Sequence, residues 1–285
     1  MTDGIDRNQE DGLPTAADSL ILDWFDRLSL AVRRVPRGVR EWTTRLIQLF
    51  VVFAFLLQLG LDVPFMLNWS GFLLSLTPLV ILIALAALAL ALPVAAALTL
   101  GRLSMNPVAR GSAGLYVSMV RGIPLIVLLF FFFIALPQLA SVGPDWLHPL
   151  TVLSPTVTAI LAIALFHAAY ISELFRAGFL SVPIGQWEAA AAIGMSRSET
   201  KRRIIWPQAM KFALRPVTNH FVMMLKDTAL VGFLGVPILF QRAERIGSQN
   251  LKMFETILIA ALIYWVLTAV SWKLIDLLDR YAHSR

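Results

Sequence analysis

Residues 79–98 read LVILIALAALALALPVAAAL, a stretch without a single charged residue. At about 1.5 Å per residue, a helix of this length crosses a hydrocarbon core of about 30 Å. The whole chain shares this character, since 58% of its 285 residues are hydrophobic and only 15% are charged. An open sheet would leave backbone groups unpaired in lipid. The sequence therefore predicts an all-α integral membrane protein.

Apolar windows predict about six transmembrane helices. They cover residues 44–61, 72–100, 123–139, 157–174, 217–239 and 255–274. Lys and Arg residues fix the expected orientation, because cytoplasmic loops carry an excess of them. Seven basic residues lie at or before the start of the first span and seven follow the fourth, whereas the opposite side holds only Arg242, Arg245 and Lys252. This distribution predicts that both termini are cytoplasmic.

The chain divides into three predicted regions. Residues 1–43 form a cytoplasmic tail, residues 44–70 an extra span with its external loop, and residues 71–280 the main transmembrane domain. Residues Leu20, Ile21, Trp24, Phe25 and Leu28 of the tail have near-helical spacing. They are compatible with an amphipathic helix on the membrane surface or with a partly ordered leader. The tail lacks the pattern of a signal peptide, so we expect the first span to be retained.

A polar, basic segment interrupts the apolar pattern, and residues 188–207 of it read EAAAAIGMSRSETKRRIIWP. We predict a helix over residues 186–193, with Glu188 in its first turn and Gly194 ending it in the left-handed conformation. Ser196 and Glu199 match a capping box that begins a second helix, which Pro207 is predicted to stop. The segment at residues 183–208 is therefore expected to be a rigid helix–Gly–helix elbow in a cytoplasmic loop.

The elbow resembles the EAA loop of the permease subunits of ABC importers, whose pattern is E-A-A, three residues, G, nine residues, I, one residue, L-P. The matching positions are Glu188, Ala189, Ala190, Gly194, Ile204 and Pro207, with Trp206 in place of Leu. Three other segments are similar to polar amino acid permeases of the histidine, glutamate and glutamine type. These are RGIPL at 121–125, YISELFRAG at 170–178 and NHFVMMLKDTAL at 219–230. The resemblance covers about residues 71–278 and implies a five-helix type I importer core preceded by one extra span.

The resemblance also implies the partners. In that family the EAA loop is a coupling helix seated in a groove of a separate ATP-binding subunit. This chain has no G-x-x-x-x-G-K-[ST] loop to hold nucleotide phosphates, so we expect it not to be an enzyme and to bind no cofactor itself, with ATP and Mg²⁺ on the partner ATPase. Two more partners are implied, a second permease subunit (identical or homologous) and an extracytoplasmic solute-binding protein.

The implied function is ATP-driven import of a polar amino acid, or a close derivative, across the bacterial inner (plasma) membrane. The lipid bilayer is then the main surrounding of this multi-pass chain, and nucleic acid is not expected as a partner. The basic residues fit this interpretation, because they follow the topology rather than forming one continuous basic surface.

Five polar residues in or beside the predicted spans are candidates for a translocation path or gate: Lys226, Asp227, Glu173, Arg176 and Asn219. A charge at the centre of a membrane helix costs about 2.5–3.5 kcal/mol, so such residues face protein or a water-filled path. For Lys226 and Asp227 an interhelical salt bridge fits as well as a gate. Glu173 and Arg176 share one helical face and suit an ion pair or a cytoplasmic gate. His167 is predicted to be a satisfied interior histidine rather than a proton or substrate ligand.

Two other classes of function stay open from the residues alone. A secondary transporter driven by an ion gradient could use Asp227, Glu173 or His167 as coupling groups, although it would need no elbow. A membrane-anchored nucleic-acid-binding protein could use the basic helix after Gly194 for recognition. The tethering of that helix between two spans leaves few exposed residues for such a role.

Overall fold

The computed structural model describes residues 37–58 and 60–283, which contain helices and no strand. The predicted all-α class is therefore confirmed. The chain separates into two compact units, residues 1–61 and residues 62–285. In the first unit the structure describes one helix, α1 (Arg37–Gln58). The amphipathic helix predicted near residues 20–28 lies outside the described residues.

The second unit is a succession of helices joined by short connections. They are α2 (Val63–Leu74), α3 (Thr77–Arg102), α4 (Pro107–Gly122), α5 (Leu125–Phe130), α6 (Leu136–Val142), α7 (Pro155–Leu180), α8 (Ile184–Ala192), α9 (Arg197–Thr200), α10 (Trp206–Asp227), α11 (Leu239–Asn250) and α12 (Met253–His283). Two π-helical turns (Phe131–Ala135, Lys201–Ile205) and two 3₁₀ segments (Asp145–Val152, Thr228–Leu234) complete the unit.

Four helical segments of the described chain are long and apolar enough to cross a membrane: Val63–Arg102, Leu125–Val142, Pro155–Leu180 and Met253–Leu277. A fifth is added if the bent pair Arg197–Leu234 and Leu239–Asn250 forms one span. The predicted first span is helical as α1 but does not belong to this set. The sixth span and the orientation of the termini therefore remain predictions.

The core of the second unit forms where α3 packs along α7. Ala84, Ala87, Ala91 and Ala95 lie on one face of α3, and all four are fully buried. Small side chains at this spacing let two membrane helices approach closely, which favours van der Waals packing where the hydrophobic effect is absent. A buried hydrogen bond strengthens the contact, since the Thr99 hydroxyl donates to the Ser172 carbonyl oxygen at 3.0 Å. These contacts fix α7, which leads directly into the elbow.

Pro207 does not stop the second helix of the elbow, so that prediction was wrong. The helix passes from α9 through a π-helical turn at Lys201–Ile205 and continues as α10. Proline lacks an N–H and its ring collides with the carbonyl four residues earlier. The wider π turn, in which the Trp206 N–H bonds to the Lys201 carbonyl oxygen, accommodates the ring. Pro137 follows the π turn at Phe131–Ala135 in the same way.

The predicted span over residues 217–239 is broken, which corrects its assignment as one continuous helix. After α10 the chain tightens into the 3₁₀ segment Thr228–Leu234 and ends at Gly235 with a φ of 78°. Such a positive φ is strained for residues other than glycine. Beyond Pro237, α11 continues in a direction that differs by 50°. Discontinuous helices at membrane depth are common where a transporter lines its substrate path.

At Gly178 the backbone of α7 lies very close to the backbone of α10. A Cβ at this position would lie 2.5 Å from the carbonyl oxygen of Ala209. We therefore expect Gly178→Ala to destabilise the subunit by about 1–2 kcal/mol through overpacking, seen as a lower apparent Tm of the purified protein in detergent. Gly114→Ala is the control, because a Cβ there meets no atom within 4 Å. Equal Tm values for the two variants would contradict the close packing of α7 on α10.

Candidate functional site: the elbow and the polar clusters behind it

The first helix of the elbow, α8, ends in a complete Schellman motif. Gly194 has a φ of 79°, as predicted from the sequence. Its N–H bonds to the Ala191 carbonyl oxygen at 3.0 Å, and the Met195 N–H bonds to the Ala190 carbonyl oxygen at 3.0 Å. These two bonds satisfy carbonyl groups that would otherwise lack partners at the helix end. The direction of the chain after α8 is therefore fixed by hydrogen bonds rather than by a flexible loop.

The predicted capping box at the start of α9 is also present. The Glu199 N–H donates to the Ser196 hydroxyl oxygen at 3.3 Å, and the Ser196 N–H donates to the Glu199 carboxylate at 3.0 Å. Hydrogen bonds from the Ser196 hydroxyl and then from its backbone N–H lower the pKa of Glu199 below its usual 4.5. The cap is therefore present above the usual Glu range and is lost only as the pH falls through the lowered pKa. The elbow keeps this cap at neutral and mildly acidic pH.

The elbow has a buried inner face and an exposed outer face. Ala190 and Ile205 are buried and Ile204 is half-buried, and the two isoleucines pack in a small cluster with Phe179 and Val182. Trp206, the departure from the family pattern, sits edge-on to Phe179 with ring centroids 6.1 Å apart.

On the outer face, Glu188, Ala189, Gly194 and Pro207 are exposed. Ile193 is a large apolar residue with 75% of its surface exposed. The outer face thus combines one carboxylate with smooth apolar surface. That is the composition of a docking site for another protein.

Glu188 does not lie in the first helical turn, which corrects the sequence-based prediction. The helix α8 begins at Ile184, directly after Pro183, so Glu188 falls in its second turn. Proline restricts the backbone to a φ that suits the residue just before a helix, which explains the earlier start. At this distance from the helix N-terminus the macrodipole contributes little to the carboxylate. Glu188 is therefore not needed to hold the helix and is free to bind a partner.

The second site lies at the end of α7 that leads into the elbow. The predicted pair is present, with Arg176 Nη2 2.8 Å from Glu173 Oε2. Arg102 at the end of α3 also forms an ion pair with Glu173 and was not anticipated. One carboxylate, 18% exposed, therefore bridges two guanidinium groups on two helices. Arg102 was missed because its contact with Glu173 joins distant parts of the chain.

The third site is a cluster of three buried or half-buried side chains between α7 and α10. His167 Nδ1 lies 2.9 Å from His220 Nε2, and His167 Nε2 lies 3.0 Å from Asp227 Oδ2. The second contact has the length of an ion pair, but its angle does not make a hydrogen bond. His220 was missed, although it and Asp227 are seven residues apart and share a face of α10.

The remaining candidates do not join these clusters. Lys226 is exposed, whereas Asp227 beside it faces His167. Asn219 is half-buried one residue before His220. The five candidates for a path or gate therefore fall into an ion-pair cluster near the elbow, one member of the histidine cluster, and two residues with separate surroundings.

Several helices long enough to cross a membrane, a polar elbow with an exposed face, and half-buried ion pairs between helices are typical of a membrane transport subunit. Residues 91–283 match the family described as "Binding-protein-dependent transport system inner membrane component". The match covers more than half of the chain. This chain belongs to that family.

Comparison with individual proteins supports the same family assignment. The chain is 37% identical over 220 residues to the probable amino-acid permease protein YxeN of Bacillus subtilis, covering 77% of this chain and 95% of that protein. It is 39% identical over 187 residues to the L-cystine transport system permease protein TcyB of B. subtilis, covering 64% and 76%. A solved crystal structure of an amino acid ABC transporter with histidines has a TM-score of 0.70 and 28% identity, covering 78% of this chain and 99% of that one.

These similarities decide between the alternatives left open by the sequence. The chain is a permease subunit of an ABC importer, and the ion-gradient carrier is not supported. Its resemblance to that class is thus confirmed. The family description implies a partner solute-binding protein, and the similarity to an amino acid ABC transporter implies a partner ATPase.

Proposed function

We propose that this chain carries an amino acid, or a close derivative, across the bacterial inner membrane. A separate ATPase that binds ATP and Mg²⁺ supplies the energy. The exposed face of the elbow carries the proposal, because a rigid polar projection has no use in a carrier that works alone. The amino acid is inferred from what YxeN and TcyB are named for.

The proposed docking contact is made by Glu188, Ala189 and Ile193. The Glu188 carboxylate would pair with a basic group of the ATPase, while the apolar residues beside it fill a groove. Because the Schellman motif at the end of α8 and the capping box at the start of α9 fix the elbow, a movement of the ATPase becomes a rigid-body movement of α7 and α10. The two ATPase subunits would thereby turn the path from inward-facing to outward-facing. A second permease subunit, identical or homologous, would form the other wall of the path.

Glu173, Arg176, Lys226, Asp227 and Asn219 are proposed to line or gate the path. The Arg102–Glu173–Arg176 cluster lies where α7 approaches the elbow, a position suited to a cytoplasmic gate. Asp227 immediately precedes the 3₁₀ segment and the 50° break, where a path through the membrane region is expected.

Reconstitution in liposomes tests the proposal. The chain is combined with an ATPase subunit and a solute-binding protein from the same organism, and uptake of L-cystine and L-histidine is measured. We expect uptake that requires internal ATP and all three proteins. Uptake by this chain alone under an ion gradient, or ATP-dependent uptake of a substrate other than an amino acid, would overturn the proposal.

A further inference from the structure

The three-membered cluster of His167, His220 and Asp227 has a geometry that dictates how many protons it holds. Two imidazole nitrogens 2.9 Å apart must share one proton, because two lone pairs or two N–H groups at this distance repel each other. The Asp227 carboxylate, 3.0 Å from the other nitrogen of His167, favours an N–H there as well. His167 therefore stands between an anion and a neutral acceptor.

Burial selects one charge state of the cluster. His167 is 1% exposed and His220 is 8% exposed; His167 lies in a helix long and apolar enough to cross a membrane, and His220 lies in the bent pair that includes α10. With Asp227 ionised and His167 carrying two protons, the three groups have no net charge, and His167 donates an N–H to His220. Loss of one proton leaves a partly buried net negative charge, which is costly in a membrane helix. In the state with no net charge, His167 donates one N–H to His220 and places its positive charge beside the Asp227 carboxylate.

A second added proton breaks the cluster. If His220 also becomes an imidazolium, two N–H groups point at each other across 2.9 Å and two positive charges lie side by side. The His167–His220 contact cannot persist in that form. Because this contact joins α7 to α10, protonation of His220 separates the two helices at this level.

The other ionisable groups around the cluster do not replace His220 as the group that takes up the second proton. The Tyr170 ring lies 5.7 Å from the His220 ring, and the Arg121 guanidinium of α4 lies 5.3 Å from the Tyr170 ring. Tyr264 of α12 lies beside Thr228, the residue after Asp227. The only charged residue of α3, Arg102, is paired with Glu173, while α5, its π turn and the 3₁₀ segment after Asp227 contain none. Among these groups only histidine ordinarily titrates between about pH 5 and 8.

The cluster is one of the contacts that join α7 to α10. Near the elbow, α7 and α10 are held by the close approach of Gly178 to Ala209. Farther along, they are held by His167 against His220 and Asp227, just before the 3₁₀ segment. With both contacts closed, the two helices that enter and leave the elbow move as one body up to the helix break.

We propose that His167, His220 and Asp227 form a proton-dependent clamp that joins α7 to α10 between the elbow and the helix break. The clamp is closed with one shared added proton and is released by a second. His167 and His220 are thus positioning residues that connect movement of the elbow to the broken span. This mechanical role rests on the proposed docking of the elbow, whereas the clamp itself does not.

Distances between spin labels test the clamp in the permease–ATPase complex in lipid nanodiscs. The chain contains no Cys, so introduced pairs are the only label sites within it. Exposed positions Val157→Cys and Met223→Cys report the far ends of α7 and α10, and Leu180→Cys with Phe212→Cys reports the ends near the elbow. On acidification from about pH 7.5 to about pH 4, a range that extends below the usual histidine range because His220 is buried beside a second histidine, we expect the far pair to separate by about 2 Å, as in a helix shift. The near pair is expected to stay constant.

Variants separate the clamp from general acid effects. In His220→Gln the amide oxygen can still accept the His167 N–H, but the side chain cannot become charged, so the far-pair distance should no longer respond to pH. His167→Gln serves as a second variant with the same expectation. His148→Gln is the control, because this exposed histidine lies in the 3₁₀ segment before α7, and it should respond like the unmodified chain.

Two results would overturn the clamp: a far-pair distance that does not change with pH in the unmodified chain, or an equal change in His220→Gln. Failure of the proposed function is recognised separately, because the ATPase would then not co-purify with the chain. In that case the label distances are measured on the permease alone and still decide whether the clamp exists.

Discussion

Reversing the charge of Glu188, as in Glu188→Arg, is expected to lower ATP-dependent uptake at least about tenfold and to weaken co-purification of the ATPase. Loss of a paired charge in a docking interface typically costs 2 kcal/mol or more, and reversal adds repulsion. The elbow itself should remain folded, because Glu188 is exposed and lies in the second turn of α8, where it contributes little to the helix end. Circular dichroism and Tm of the purified subunit check this point.

Glu244→Arg is the matched control for Glu188→Arg. Glu244 is an exposed carboxylate of α11, on the predicted external side, and its reversal changes the net charge equally. We expect this variant to keep the ATPase and to retain uptake within about twofold, since an exposed charge outside an interface contributes little. If Glu188→Arg assembled and transported as well as Glu244→Arg, Glu188 would have no role in docking.

Removing the shared carboxylate of the ion-pair cluster, as in Glu173→Gln, is expected to lower the free energy of unfolding by about 2–3 kcal/mol. Two half-buried guanidinium groups, Arg102 and Arg176, would then lie close together without an anion. Breaking a fully buried pair costs about 3–5 kcal/mol, and the smaller value allows for the remaining access to water. Denaturant titration of the purified subunit measures the change.

Asp276→Asn provides the comparison for Glu173→Gln. Asp276 is exposed, and its Oδ1 lies 3.9 Å from Arg215 Nη2. The same change from carboxyl to amide at such a pair should alter the free energy of unfolding by less than about 1 kcal/mol. A Glu173→Gln variant as stable as Asp276→Asn would mean that the Arg102–Glu173–Arg176 cluster does not hold α3 against α7.

The local chemistry of the elbow could be predicted from the sequence. Gly194 ends α8 because few other residues adopt its φ, and Ser196 with Glu199 caps α9 because three residues bring the two side chains to one helix end. These features depend on neighbours within a few residues, so their spacing determines them. The membrane class could also be predicted from the sequence, because long apolar stretches without charge are stable in the hydrocarbon core of a bilayer.

Features that depend on distant contacts could not be predicted. Nothing in the spacing of residues indicates that Arg102 meets Glu173 or that His167 meets His220, because these pairs join different helices. The π turn before Pro207 was missed for another reason. A proline in a helical sequence usually predicts a stop, whereas here Ile205 and Trp206 pack in one cluster with Phe179 and a wider turn lets the helix continue.

Site-specific cross-linking tests the docking of the elbow most directly. Ala189→Cys places a single thiol on the exposed face of α8 in a chain without other cysteines. In the assembled, active transporter, a short bifunctional reagent should join this thiol to the ATPase, whereas Ser248→Cys on α11 should give no such product. An active complex in which Ala189→Cys never cross-links to the ATPase would show that the driving force enters this subunit elsewhere.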